Sequence, residues 1–215
     1  LMASIFAEHA VLQRNRPIEV WGRAQPGEQV TVSLSNADRS TRADAQGNWA
    51  VSMPSFPAGG PHALAARTSG RSQTVRDVLV GDVWLCSGQS NMEWAVRNTI
   101  NAYSEVQHSA NNTIPHVTIP RAVAFGPDAD LRNPIEWKVA GPATTEHFSA
   151  VCYYFARELQ KTTRVPQDLI NSSWGGSNIK TWMSERALRD SGFGAELDVL
   201  RLHAKDASAA TQRWG

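Results

Sequence analysis

Two serine hydroxyl groups follow a long apolar run in the chain. The run VLVGDVWL leads directly into CSGQSNMEW, which contains Ser87 and Ser90. A serine between a buried strand and a helix can attack an acyl carbon, because unpaired N–H groups at the helix start stabilise the negative charge that develops. The same serine can also simply cap the helix. The residues around the two serines indicate which interpretation, nucleophile or helix cap, is the better one.

A second apolar run also ends in small polar residues. The stretch DLINSSWGGSNIKTW places Leu169 and Ile170 in a strand that runs into Ser-Ser-Trp-Gly-Gly. In open parallel sheets, ligands bind at the carboxyl ends of the strands, where loops lead into helices. Gly88 allows the first stretch a turn that most residues could not make. The pattern therefore favours an α/β fold with Ser90 at the ligand-binding edge of its sheet.

The stretches GDVWLCSGQSNMEW and INSSWGGSNIKTW together resemble the sialate O-acetylesterase-like branch of the SGNH hydrolases, and FSAVCYYFAREL resembles the helix between the two motifs. The resemblance covers almost the whole chain. It implies a serine esterase that removes acetyl groups from sugars, with a histidine base and usually an aspartate three residues before it. It places the nucleophile at Ser90 and an oxyanion-binding N–H at Gly176 or its neighbour Gly175. Gln89 and Asn178 are implied as further polar partners.

This sequence departs from the family pattern in two places. Ser177 stands where the second motif commonly has threonine, and Lys180 stands where it has glutamate, which predicts an altered substrate preference. More importantly, no Asp-x-x-His occurs in the 215 residues. The six histidines are therefore interpreted as surface or structural groups: His9, His62, His108, His116, His147 and His203.

An unassisted serine hydroxyl is a poor nucleophile at neutral pH. We therefore expect the chain to be the N-terminal part of a longer enzyme, in which a C-terminal segment or a second chain supplies histidine and aspartate. Ser90 would then attack the acetyl carbonyl, N–H groups would stabilise the oxyanion, and water would release acetate. The mechanism needs no cofactor, and no spacing of His, Cys, Asp and Glu indicates a metal site.

Three tryptophans flank the two motifs. Trp94, Trp174 and Trp182 could form an apolar platform for a sugar ring, or they could be ordinary core residues.

Two functions other than that of a sugar acetylesterase remain open. The same nucleophile turn could serve a lipid or thioester hydrolase, and a chain without its base could be a catalytically incomplete carbohydrate-binding protein. The natural sugar also stays open among acetylated sialic acid, xylan, xyloglucan and similar glycans.

The elements around these motifs change character near residue 78. Residues 1–78 contain short alternating runs, among them IEVWG, VTVSL and NWAVSM, which predict a small β-sandwich. Residues 79–215 alternate strands with helices, which predicts α/β structure with a mainly parallel sheet. The resemblance implies that this second part is an incomplete SGNH-type three-layer α/β/α hydrolase domain. Residues 111–147 show little periodicity and predict a long irregular connection with one strand near residues 116–119.

The composition of the chain argues against some classes of binding partner. The chain has 21 basic and 20 acidic side chains and no basic block, which argues against a nucleic-acid surface. No apolar run approaches the roughly 20 residues of a membrane span. The resemblance implies a periplasmic or secreted protein, although the sequence shows no signal peptide.

The sequence contains two cysteines. Cys86 and Cys152 lie in apolar surroundings and are interpreted as buried thiols, with a disulfide not expected.

Overall fold

The computed structural model describes residues 1–123 and 130–214, with side chains described as far as residue 210. The chain divides into two compact units. The first unit contains residues 1–121 and 130–175, and the described part of the second contains residues 122–123 and 176–214. The long irregular connection predicted for residues 111–147 is only partly correct: its described residues contain two strands, Asn111–Thr118 and Lys138–Ala140, and a short helix, Pro142–Thr145. Residues 124–129 lie outside the described residues.

The first unit is built on one mixed sheet of eight strands and one sheet of two strands. The large sheet has the order β4-β3-β6-β7-β10-β8-β9, with β1 paired to β7, and β2 pairs with β5. The strands are β1 (Val11–Gln13), β2 (Ile18–Arg23), β3 (Gln29–Leu34), β4 (Ala37–Arg42), β5 (Asn48–Met53), β6 (Gly59–Arg67), β7 (Ser72–Gly88), β8 (Asn111–Thr118), β9 (Lys138–Ala140) and β10 (Gln167–Ser173).

The alternating runs of the N-terminal part form strands as predicted. Side chains of β2 and β5 alternate between buried and exposed, which is the period of a strand with one face on a core. Both sheets contribute to one cluster of buried apolar side chains. Its members include Ile18, Val20, Val30, Val32, Leu34, Trp49, Val51, Met53, Leu64, Val75, Val78 and Val80.

The longest strand, β7, has 17 residues and changes partners along its length. Its first part pairs antiparallel with β6, whereas residues 82–88 pair parallel with β10. Strand β8 is also parallel to β10, and β9 is antiparallel to β8. The sheet is therefore mixed, with parallel pairing concentrated around β10. The boundary proposed at residue 78 falls inside β7, and the division into two domains stays a prediction.

Four short or medium helices belong to the first unit. They are α1 (Ser90–Glu93), α2 (Ala102–Gln107), α3 (Pro142–Thr145) and α4 (Ala150–Thr163). The stretch MEWAVRNTINAYSEV, predicted as one helix, is instead divided among α1, a 3₁₀ turn at Val96–Asn98 and α2. Helix α4 forms where its apolar spacing predicts it, and the hydroxyl of Ser149 caps its N-terminus by accepting from the Cys152 N–H.

The interpretation of Cys86 and Cys152 as free thiols is wrong. The two form a disulfide with Cα atoms 6.0 Å apart, and both are buried in the cluster between α4 and the sheet. Each cysteine does lie in apolar surroundings. However, β7 and α4 bring the two side chains into contact, a pairing that a separation of 66 residues does not reveal.

The second unit is helical in its described part. It contains a 3₁₀ turn at Ile179–Trp182, followed by α5 (Glu185–Asp190), α6 (Gly194–Lys205) and α7 (Ala207–Trp214). Arg189 joins two of these helices, because it pairs with Glu185 in α5 and with Asp198 in α6. Among the helices that the structure describes, none is long and apolar enough to cross a membrane.

Candidate active site

A sharp turn connects β7 to the candidate nucleophile. Gly88 has φ +143°, and a Cβ at this position would lie 2.8 Å from the Cγ of Met92, so a side chain would meet both strain and a clash. Ser90 is the first residue of α1, and the N–H of Met92 donates to the carbonyl of Gln89 over 2.9 Å. The predicted order of strand, tight turn and helix is confirmed here.

The hydroxyl group of Ser90 lies in an exposed position. Within the described part of the chain, its hydrogen-bond partner is the side-chain oxygen of Gln89, at 3.5 Å. This long contact connects two predicted site residues, but an amide oxygen is not a general base. No hydrogen bond between Ser90 and a histidine occurs among the described residues. These groups therefore do not activate the Ser90 hydroxyl, and its role as nucleophile stays a prediction.

The turn after β10 lies directly beside Ser90. Ser173 pairs with Gly88 across the parallel strands, and the N–H of Trp174 donates to the carbonyl of Gly88 over 2.9 Å. A Cβ at Gly175 would lie 3.6 Å from the Cα of Ser90 and would overlap Glu93 Oε2. The structure therefore brings Gly175 and Ser90 together, and the space between them has no room for a side chain.

Gly176 and Asn178 belong to the second unit, and the structure defines their local geometry. Gly176 has φ +76°, a left-handed conformation that favours glycine. The side-chain oxygen of Asn178 accepts from the Lys180 N–H at 3.0 Å and so caps the 3₁₀ turn. Their roles as oxyanion donor and polar partner stay predictions.

The three flanking tryptophans are not core residues. Trp94 is 55% exposed, Trp174 is 37% exposed and Trp182 is 39% exposed. The indole N–H of Trp94 donates to the carbonyl of Asn98, and that of Trp182 donates to the hydroxyl of Ser177. Each of the three side chains is therefore partly exposed to solvent, and the sugar platform stays a prediction.

Sequence reasoning misses two charged residues at this site. Glu93 lies one helical turn after Ser90, and its Oε1 forms an ion pair with Nη2 of Arg121. The guanidinium carbon of Arg121 lies 5.5 Å from the ring centre of Trp174, a distance suited to a cation–π contact. Arg121 follows β8 in the unpatterned stretch TIPRAV, so only the spacing of Glu93 from Ser90 gives a signal in the sequence.

The histidines lie in structural or surface positions. His9 pairs with Asp77 at 2.6 Å in an exposed position, and His108 contacts the carbonyl of Ser104. His116 is 3% exposed on β8 and stacks against Phe148, with ring centres 4.2 Å apart. Burial, helped by the nearby Lys138 ammonium, lowers the pKa of His116 to about 4. His116 is therefore neutral near pH 7.

One acidic group is buried away from these residues. Asp168 lies on β10 and is fully buried, and this burial raises the pKa of its carboxyl well above the usual value. Gln167, its neighbour, accepts from the Trp84 indole N–H at 2.8 Å on the α4 side of the sheet. Asp168 is at the opposite end of β10 from Trp174, so it has no place in the chemistry at Ser90.

Sequence comparisons connect this arrangement to characterised proteins. Residues 80–207 match the family described as "Carbohydrate esterase, sialic acid-specific acetylesterase". The chain is 31% identical over 208 residues to the sialate O-acetylesterase of Mus musculus, covering 88% of this chain and 38% of that protein. It is 33% identical over 192 residues to the sialate O-acetylesterase of Homo sapiens, covering 80% of this chain and 36% of that protein.

A structural comparison gives the same result. The crystal structure of a novel carbohydrate acetylesterase from Xanthomonas citri aligns with a TM-score of 0.85 and 40% sequence identity. The alignment covers 88% of this chain and 43% of that one. The chain therefore spans less than half the length of each of these relatives.

Proposed function

Because this chain belongs to the carbohydrate esterase family of sialic acid-specific acetylesterases, we propose that it supplies the nucleophile and part of the oxyanion site of a serine esterase. The enzyme removes O-acetyl groups from sugars through an acetyl-serine intermediate. The relatives named sialate O-acetylesterases and the bacterial carbohydrate acetylesterase support this substrate class. Acetylated sialic acid and plant-type polysaccharides or oligosaccharides are the candidate substrates.

The approach of Gly175 to Ser90 carries the proposal. A Cβ at Gly175 would lie 3.6 Å from the Cα of Ser90, so the two turns meet at the carboxyl ends of adjacent parallel strands. Backbone N–H groups in this position stabilise an oxyanion without any reorganisation during the reaction. A serine that only caps a helix has no need of a glycine turn packed against it, whereas acyl transfer needs N–H donors beside the nucleophile. The close approach therefore supports acyl transfer.

The reaction has two steps. Ser90 Oγ forms a bond to the acetyl carbonyl carbon while a histidine takes the hydroxyl proton, and the sugar oxygen leaves with that proton. Water then attacks the acetyl-serine, which releases acetate and restores the Ser90 hydroxyl. N–H groups of Ser90 and of the Gly175–Gly176 turn bind the oxyanion in both steps. In this proposal the histidine, with its aspartate, comes from a C-terminal segment or a second chain of the same enzyme.

The mixed α/β architecture also supports a more specific proposal about the domains. We propose that the first 78 residues form a β-sandwich and that the rest begins a three-layer SGNH-type domain. The apolar cluster shared by the β2–β5 sheet and the N-terminal strands of the large sheet supports the sandwich, and the packing of α4 on β10 supports one of the three layers. The Cys86–Cys152 disulfide supports a periplasmic or secreted location, since such bonds persist in oxidising compartments.

The experiment that tests this function measures acyl preference and acetate release. The full-length protein is assayed with 4-nitrophenyl acetate, with a 4-nitrophenyl ester of a longer acyl chain, and with O-acetylated sialic acid and acetylated xylan. We expect the acetyl ester to be preferred and acetate to be released from at least one sugar. A preference for the longer acyl chain would identify a lipid or thioester hydrolase instead.

One observation favours a second candidate, a carbohydrate-binding protein without catalysis. Ser90 has a single long contact to Gln89 within the described residues, and an unactivated hydroxyl does not attack esters at a useful rate. That function predicts sugar binding through the exposed tryptophans and no acetate release. Calorimetric titration with deacetylated and acetylated glycans, run beside the acetate assay, separates the two functions.

A further inference from the structure

Glu93 places a carboxylate beside the proposed oxyanion site. Its Oε2 lies where a Cβ of Gly175 would be, so the carboxylate packs directly against the glycine turn. Ser90 lies one helical turn before Glu93 and borders the same turn. A negative charge in this position opposes the negative charge that develops on the acyl oxygen during attack. An unpaired carboxylate here would slow the reaction assigned to Ser90.

Arg121 offsets this charge. Its Nη2 pairs with the other carboxylate oxygen, Oε1 of Glu93, so Glu93 is held between a guanidinium and the backbone of Gly175. The side chain of Arg121 also lies against the partly exposed ring of Trp174. The backbone N–H of Trp174 donates to the carbonyl of Gly88. Three strand ends therefore contribute to one small arrangement beside the nucleophile: β7 through Gly88, β10 through Trp174 and β8 through Arg121.

We propose that Arg121 is a positioning residue that neutralises Glu93 and keeps its carboxylate against the Gly175 turn. Arg121 acts through Glu93 and does not touch the reacting atoms. Its guanidinium cancels the charge that would oppose the oxyanion, and the ion pair prevents Glu93 from swinging into the substrate position. This inference rests on the proposed esterase function of Ser90.

A double-mutant cycle in the full-length enzyme tests the inference, with kcat and KM measured on 4-nitrophenyl acetate. We expect Arg121→Gln to lower kcat by about tenfold to hundredfold with a smaller change in KM, because an unpaired carboxylate penalises the transition state. Arg121→Lys keeps the positive charge and should retain most of kcat. The double variant Glu93→Gln with Arg121→Gln should be faster than Arg121→Gln alone, since no uncompensated charge remains. The single variant Glu93→Gln is measured beside them to complete the cycle.

A purely structural role predicts a different pattern. The double variant lacks the ion pair as fully as Arg121→Gln does, so lost packing cannot explain its recovery. Arg186→Gln, which removes a surface arginine from α5, is the matched control and should leave kcat unchanged. The inference is overturned if Arg121→Gln has the kcat of the parent enzyme, or if the double variant is no faster than Arg121→Gln.

Failure of the esterase function and failure of the Arg121 role give different kinetic results. If the parent enzyme shows no ester hydrolysis that depends on Ser90, the proposed function fails, and the role of Arg121 fails with it. If Ser90-dependent hydrolysis is present but the cycle shows no recovery, only the role of Arg121 fails. Melting curves of each variant show whether a lower kcat reflects unfolding.

Discussion

The backbone N–H of Trp174 donates a hydrogen bond of 2.9 Å to the carbonyl oxygen of Gly88. This bond extends the parallel pairing of β7 and β10 by one residue beyond the Ser173–Gly88 pair. It therefore connects the turn that carries Gly175 to the turn that carries Ser90. The geometry of the candidate site depends on the register of two strands and not on a flexible loop.

Removal of the Ser90 hydroxyl tests the nucleophile. We expect Ser90→Ala to abolish ester hydrolysis in the full-length protein, because the covalent step requires this oxygen. Stability should change little, because the Ser90 hydroxyl caps no N–H of α1 and its contact with the Gln89 side chain is long. Ser87→Ala is the matched control: Ser87 is an exposed serine of β7, three residues before Ser90, and its variant should keep parent kinetics. Unchanged kinetics in Ser90→Ala would refute the assignment.

A methyl group at Gly175 tests the close approach of the two turns. Gly175→Ala should lower kcat by roughly 10²- to 10³-fold, because the new Cβ would overlap Glu93 and displace the N–H that we propose binds the oxyanion. KM should change much less. Gly70→Ala is a suitable control, since a Cβ there meets nothing within 4 Å. A change confined to KM in Gly175→Ala would show that this turn binds substrate without stabilising the transition state.

Reduction of the disulfide should destabilise the protein. The bond joins residues 66 positions apart, and closing a loop of this size stabilises a fold by about 4 kcal/mol in the chain-entropy treatment. We expect denaturation by urea to begin at a lower concentration with reductant present, and a Cys86→Ala, Cys152→Ala double variant to behave like the reduced protein. Identical midpoints with and without reductant in the parent protein would mean that the two thiols are not joined in solution.

Stability should fall as the pH decreases from 6.5 to 4. The pKa of His116 is lowered from 6.5 to about 4 in the folded state, so over this range the unfolded chain binds a proton that the folded chain does not. The loss attributable to His116 is about 3 kcal/mol. Urea denaturation of the parent and of His116→Gln at pH 7 and pH 4.5 measures it, with the exposed His108→Gln as control. Equal pH dependence in the parent and His116→Gln would contradict the assignment.

The sequence predicts those elements whose apolar residues face a core. Strands β2, β3 and β5 alternate in burial, and α4 has a helical apolar stripe, so periodicity identifies all four. Strand β4 has no such signal, because its residues ADRSTR are largely exposed and backbone hydrogen bonds to β3 hold it. The predicted change of pattern near residue 78 lies inside β7, whose pairing with β6 extends to Val80 and whose pairing with β10 starts at Asp82.

The candidate site is only partly encoded in local patterns. Ser90 and Gly175 belong to motifs that can be recognised along the chain, and the structure brings them together. The disulfide and the Glu93–Arg121 pair depend on contacts between distant segments, so composition and spacing cannot reveal them. The side chain of Arg121 is connected to its partners by tertiary structure alone.

The continuity of β7 matters for anyone who wishes to dissect or recombine this protein. A cut at residue 78 would divide β7 within its pairing to β6 and would separate that part from the segment that pairs with β10, so each fragment would expose unpaired backbone groups of β7 or its partners. Such fragments are expected to aggregate. Transfer of the candidate nucleophile turn to another scaffold therefore requires the whole of β7 together with the three strands that pair with it, β1, β6 and β10.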